Sequence, residues 1–259
     1  MRNNMKITLL GTGTSQGVPV IACACDVCQS ENPKDKRLRS SIMIEVDSQI
    51  LVIDTGPDFR QQMLRERVEK VDAILFTHHH KDHVAGMDDV RAFNHKWRTD
   101  MQIYCSNTTM HALEKEFPYV FSDYNYPGTP RVNVNVIKNE SFKINKTLIT
   151  PIKAMHYKMT VFGFRIKDFI YLTDVSAISD TEKEKMKDAD LIILDALRKK
   201  EHISHFNLNQ ALCLLQELKP KKALLTHISH YMGLHNVVND ELPPNIRLSY
   251  DGQVVSLDD

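Results

Sequence analysis

Short apolar runs punctuate this chain, and most stop abruptly at polar or glycine-rich breaks. Ser41–Val46 and Gln49–Ile53 are rich in Ile and Val and flank Asp47-Ser48, which predicts two strands joined by a turn. Residues 6–10 alternate and then enter Gly11-Thr12-Gly13-Thr14-Ser15-Gln16-Gly17, a strand running into a glycine-rich turn. Further strands are expected at 71–76, 101–106, 132–137, 148–154, 160–166, 169–173, 191–194 and 223–226, and amphipathic helices at 59–67, 84–93, 107–117 and 207–218. Asp58 is the expected N-cap of the first helix. Strands interleaved with helices point to an α/β chain.

The 259 residues, 42% of them hydrophobic, suffice for one large core, and no repeat or low-complexity linker divides them, so a single domain over 1–259 is expected. Lys+Arg and Asp+Glu both total 33, which leaves no global field to attract an anionic membrane or a large nucleic acid. Residues 1–10 lack the apolar core of a signal peptide, and no apolar run approaches the ~20 residues of a membrane span, so the expected location is the cytoplasm. Five cysteines, three of them within 23–28, are odd in number and too clustered for a disulfide framework. Metal binding suits them better.

The densest chemistry is His78-His79-His80-Lys81-Asp82-His83, directly after the apolar run 71–76. Imidazole and carboxylate are the usual donors of hydrolytic zinc or manganese centres, whereas turns favour Gly, Asn, Asp and Pro. Cys23-x-Cys25-x-x-Cys28 offers three soft thiolates for a tetrahedral structural zinc whose fourth ligand must come from elsewhere. A redox Cys-x-x-Cys pair fits less well, because no strand and helix start frame it. Cys105 and Cys213 stand alone and are expected to be small buried apolar residues. A dinucleotide fingerprint at Gly11–Gly17 fails, since its third glycine comes one place late and cysteines follow in place of a helix; a tight turn with close backbone approach is the better reading.

Several strand ends carry further donors. Asp54 precedes Gly56 and is either a ligand or an acceptor that orients a histidine. His156 and Asp174 each follow a predicted strand, and Asp195 ends another, ahead of Arg198-Lys199-Lys200 and His202-x-x-His205. Thr226-His227, with His230 three residues on, repeats the theme of strand, threonine and histidine. The segment 118–130, with three tyrosines and three prolines, is a candidate substrate-side wall or homodimer contact.

Thr77-His78-x-His80-x-Asp82-His83, His156, Asp174 and His227, in that order, resemble the metallo-β-lactamase-fold hydrolases. Gly11-Thr12-Gly13-Thr14, the three cysteines and Thr226-His227-x-x-His230 are similar to the branch containing phosphoribosyl 1,2-cyclic phosphate phosphodiesterase. The resemblance spans nearly the whole chain. It implies an α/β (α+β) fold, a four-layer αβ/βα sandwich of the metallo-β-lactamase type, and two catalytic divalent metals, manganese or zinc. One metal would take His78, His80 and His156, the other Asp82, His83 and His227, with Asp174 bridging. Two cations ~3.5–4 Å apart can hold a bridging hydroxide and clamp phosphate oxygens. His79 would be a bystander, and Asp82 the least replaceable carboxylate of its loop. Cys23, Cys25, Cys28 and His230 would hold one structural zinc. The resemblance leans to His205 as general acid, with His202 the other candidate.

The function this implies is hydrolysis of a small phosphodiester substrate, of phosphoribosyl cyclic phosphate or cyclic nucleotide type. A ribonuclease Z-like tRNA 3′-end endonuclease would need a broad basic surface, and the clusters at 198–200 and 219–222 are too short to supply one. A non-catalytic carrier of the same fold, as in cofactor biosynthesis, would not need a full donor set.

Overall fold

The computed structural model describes residues 5–122 and 126–257. The described residues form two compact units, the first drawn from 5–10, 41–122, 126–138 and 254–257 and the second from 11–40 and 139–253. Among the described residues the first contains strands β1 (Met5–Gly11), β2 (Ser41–Val46), β3 (Gln49–Ile53), β4 (Ala73–Leu75), β5 (Met101–Cys105), β6 (Val132–Val136) and β15 (Val254–Leu257). The second contains β7 (Phe142–Ile144), β8 (Thr147–His156), β9 (Met159–Ile166), β10 (Phe169–Leu172), β11 (Ala177–Ile178), β12 (Leu191–Asp195), β13 (Lys222–Thr226) and β14 (Ile246–Leu248).

The first sheet runs β15-β1-β2-β3-β4-β5-β6, with β3 to β6 parallel. Ala73, Ile74 and Leu75 are completely buried, as an interior parallel strand covered on both faces requires. Val52, Ile74 and Ile103 pack with Phe59, Phe76 and Phe93 in one core. Parallel strands end at one edge, so the residues following β3 and β4 emerge together, Asp54 from the former and the histidine loop from the latter.

The second sheet runs β11-β8-β9-β10-β12-β13-β14, with β7 attached to β8. β10, β12, β13 and β14 are parallel, while β9 is antiparallel to both β8 and β10, so β8 points the same way as β10. His156, Asp174, Asp195 and His227 therefore all emerge at one edge of this sheet. The helix Leu208–Leu218 is started by a capping box between Asn207 and Gln210 and stopped where Lys219 turns left-handed, φ +51°. Its Leu208, Ala211, Leu215 and Leu218 recur at helical spacing and bury against Ile192, Leu194 and Leu225.

Several expectations change. The helix expected over 84–93 is broken into Lys81–Val84, a 3₁₀ turn Met87–Val90 and Arg91–Trp97. Gly86 causes the break, because its N–H donates to the Thr55 carbonyl (2.8 Å) and its backbone lies so close to the Gly56 carbonyl that no Cβ would fit. Asp58 stands at the N-cap position of Phe59–Arg65, but its side chain makes no capping hydrogen bond. Cys105 is buried as expected, whereas Cys213 is exposed, on the outer side of its helix. The 118–130 segment opens with a short helix, Pro118–Phe121, and its residues 123–125, Tyr124 included, lie outside those described. The glycine-rich turn does approach other backbone, since Gly13 N–H donates to the Leu38 carbonyl at 2.7 Å and a Cβ there would collide with Arg37. No helix among the described residues is long and apolar enough to cross a membrane.

Candidate metal-binding sites

In the first unit, β4 delivers Thr77 and His78 into a buried loop, and His80 stands just before the helix Lys81–Val84 that carries Asp82 and His83. This brings the expected donors of the loop together. The rings of His78 and His80 are 4.7 Å apart, those of His78 and His83 4.2 Å, and His83 Nε2 lies 3.2 Å from Asp82 Oδ2. Asp54 organises them from behind. Its Oδ1 accepts the Thr77 N–H (2.8 Å), and its Oδ2 accepts the Thr77 hydroxyl (2.8 Å) and His83 Nδ1–H (2.7 Å).

Those bonds select tautomers. With its proton committed to Asp54, the Thr77 hydroxyl accepts from His78 Nδ1–H at 3.0 Å. His78 and His83 thus both carry the proton on Nδ1 and present the Nε2 lone pair, the form that coordinates a metal. Burial pushes the Asp54 carboxyl up, and His83 and the Thr77 donors pull it back down. His79 is half-buried and meets His80 edge-on at 5.9 Å.

In the second unit, Asp174 is flanked by imidazoles. Its Oδ1 lies 3.1 Å from His227 Nδ1, and its Oδ2 lies 4.0 Å from both His156 Nε2 and His205 Nε2. His156 Nδ1–H donates to the Ser204 carbonyl (2.7 Å), so its Nε2 also presents a lone pair. Two donors about 2.0–2.2 Å from one tetrahedral ion lie roughly 3.3–3.6 Å apart, a range that these 3.1 and 4.0 Å separations bracket. Asp54, Asp174 and His227 all adopt left-handed backbone, φ +65°, +56° and +58°, a strain retained mostly where function needs a side chain aimed.

His205 stacks on His227, centroids 4.9 Å apart, and its Nδ1 lies 3.2 Å from Asp195 Oδ2, which also accepts the Val175 N–H at 3.0 Å. Asp195 was legible only as an acid ending a strand, yet Asp54 and Asp174 show the same signal. His202 sits 5.2 Å from His205, and burial, with help from His205 and Arg198, pushes its imidazole down.

The cysteine cluster also lies in the second unit. Its loop folds as the short helix Asp26–Gln29, and Cys23, Cys25 and Cys28 Sγ converge on His230 Nδ1 at 3.3, 3.4 and 3.4 Å. Tetrahedral zinc with bonds of about 2.3 Å to sulfur and 2.0–2.1 Å to nitrogen sets such pairs roughly 3.5 Å apart, so these four residues fit that ion. In the same unit, buried Arg37 donates to Thr12 Oγ1 (2.9 Å), the Ser249 carbonyl (2.6 Å) and His235 Nδ1 (3.1 Å), while Asp35 Oδ1 accepts His235 N–H (2.7 Å).

This chain is similar to a new diphosphatase from the PhnP family, with 36% identity, 100% of this chain and 99% of that chain covered, and a TM-score of 0.93. It is 36% identical over 258 residues to the octanoyltransferase of Porphyromonas gingivalis (strain ATCC BAA-308 / W83), covering 98% of this chain but spanning only about half, 52%, of that protein. Human tRNase Z, short form, shares the fold at a TM-score of 0.69 and 18% identity, over 96% of this chain and 98% of that one. The model of the beta-lactamase superfamily domain matches residues 49–228, and the chain belongs to that family, the metallo-β-lactamase-fold hydrolases with their mixed α/β architecture of two sheets and helices.

Proposed function

We propose that this chain is a divalent-metal phosphodiesterase acting on a small cyclic or diester phosphate, with His78, His80, Asp82, His83, His156, Asp174 and His227 as its catalytic metal ligands. The observation that carries this reading is Asp174, whose two oxygens face different imidazoles, as a carboxylate shared between two ions would. The 36% identity to a diphosphatase supports phosphate ester chemistry. Bound divalent metals would supply Lewis acidity toward phosphate oxygens and an activated water at neutral pH.

The chain's own residues supply the rest. Asp54 holds His83 directly, and His78 through Thr77, in the coordinating tautomer. His205, its Nδ1–H bonded to Asp195, can hold a proton on Nε2 and pass it to the departing oxygen. His202, whose imidazole is pushed down, is a poorer proton donor at neutral pH and suits contact with phosphate oxygen. Cys23, Cys25, Cys28 and His230 would hold a closed structural zinc that takes no part in the chemistry.

A turnover screen of manganese- and zinc-loaded protein against an aryl phosphodiester, 2′,3′-cyclic nucleotides, cyclic phosphoribose and a pre-tRNA tests this. Hydrolysis of the small diesters without pre-tRNA cleavage, with about three metals bound per chain, is the expected result. Cleavage of pre-tRNA alone would replace this reading with a tRNA-processing one, and one metal without turnover would point to a carrier.

A further inference from the structure

The β8–β9 hairpin turns through two residues, Tyr157 and Lys158, between the paired His156 and Met159. Tyr157 takes φ +55° there, and among the described residues no other Tyr, Phe or Trp has a left-handed φ. Turns of this size prefer glycine, asparagine or aspartate at a left-handed position, and a bulky ring costs conformational energy. The strained turn is held firmly. Tyr157 N–H donates to Ser176 Oγ (2.9 Å), and Ser176 Oγ–H donates to the Met155 carbonyl (2.9 Å). Half of Tyr157 stays exposed, and Lys158 Nζ stands over one face of its ring, 5.2 Å from the centroid.

A second exposed apolar side chain belongs to the same place. Ile203, 69% exposed, lies between His202 and Ser204. The bond from His156 Nδ1 to the Ser204 carbonyl joins the hairpin to this loop, so Tyr157 and Ile203 are each the sequence neighbour of one partner in that bond. An aromatic ring and a branched aliphatic side chain, both exposed, are thus the immediate chain neighbours of the residues that tie His156 to the loop of His202 and His205.

We propose that Tyr157, with Ile203, stacks on a nucleobase, so that the substrate is a nucleoside phosphodiester and not a base-free sugar phosphate. The inference rests on the phosphodiesterase reading and names the substrate class of that same site. Tyrosine stacking has little preference among bases, because every base offers a π-face. Purine and pyrimidine substrates are therefore both accepted.

The test compares adenosine 2′,3′-cyclic phosphate with methyl riboside 2′,3′-cyclic phosphate on manganese-loaded protein, in the parent and in Tyr157→Gly and Tyr157→Phe. Glycine is the residue the turn prefers, so a purely structural tyrosine predicts equal or higher thermal stability and an unchanged substrate ratio. Stacking predicts that Tyr157→Gly keeps its stability yet lowers the ratio of kcat/KM values, base-bearing over base-free, by about tenfold, mostly through KM, while Tyr157→Phe restores it. An unchanged ratio overturns the proposal. If the parent turns over neither compound, the phosphodiesterase reading fails separately, and calorimetric binding of adenosine 2′-monophosphate decides stacking. Weaker binding to Tyr157→Gly supports it, and equal binding overturns it.

Discussion

The histidine loop after β4 and the cysteine cluster at His230 both gather metal-type donors at breaks in the apolar pattern, but they are wired differently. In the loop, the nitrogen turned away from the donor face is bonded to a buried partner: His83 to Asp54, and His78 to Thr77 and through it to Asp54. In the cluster, three sulfurs face one imidazole nitrogen. The backbone N–H of Cys28, with His230 contributing, draws the Cys25 thiol down to about 6, while burial pushes Cys28 up to about 11. The lesson is one of division of labour. Tuned imidazoles suit a site that must leave room for substrate, whereas three thiolates and an imidazole saturate an ion and fasten two distant stretches of chain.

The sharpest break of that comparison is Asp174→Ala. Hydrolysis should fall by about a thousandfold or more while circular dichroism and the melting transition stay near the parent's, and near-normal turnover would refute the shared carboxylate. Asp54→Ala comes next. Removing the carboxylate behind His78 and His83 should cost about 10–100-fold in metal affinity or activity, measured by metal titration and initial rates, because the ligands remain but their tautomers are no longer fixed.

Cys25→Ser should act in the opposite register. The expected result is a lower melting temperature and loss of about one metal per chain, with the rate per folded molecule changed less than fewfold. If that variant withstands chelation as well as the parent, the structural zinc is wrong. The smallest effect concerns acid. Burial, then Arg37 and Lys34, push His235 down from 6.5 to about 4, so the folded state resists protonation that the unfolded chain accepts. Stability is therefore full above about pH 6.5 and declines as pH falls toward 4. In His235→Asn, whose amide oxygen can still accept from Arg37, urea melts at pH 7 and pH 5 should differ less than in the parent.

Much of this was legible beforehand because it is local. Val and Ile runs bounded by polar residues located β2, β3, β9 and β13 closely, and Asp54, His78, His156, Asp174, Asp195 and His227 fall at or just past the ends of strands. What escaped notice depended on contacts between remote residues. β15 is a four-residue strand made stable by pairing with β1, nearly the whole chain away, and has no strong pattern of its own. The interruption at Gly86 arises from backbone packed against Thr55 and Gly56, which no helical periodicity records. No motif or spacing marks Arg37, yet it is 4% exposed and tied to Thr12, Ser249 and His235.

The sequence by itself determined the inventory of donors, their order and their placement after apolar strands, because residue type and strand propensity are carried by the immediate neighbourhood. Only the tertiary structure decided which nitrogen of His78, His83 and His156 bears the proton, that Asp195 stands behind His205, and that Cys23 meets His230 across 207 positions. Hydrogen-bond partners are chosen by the register in which separate strands are laid side by side, and spacing along one strand does not contain that register.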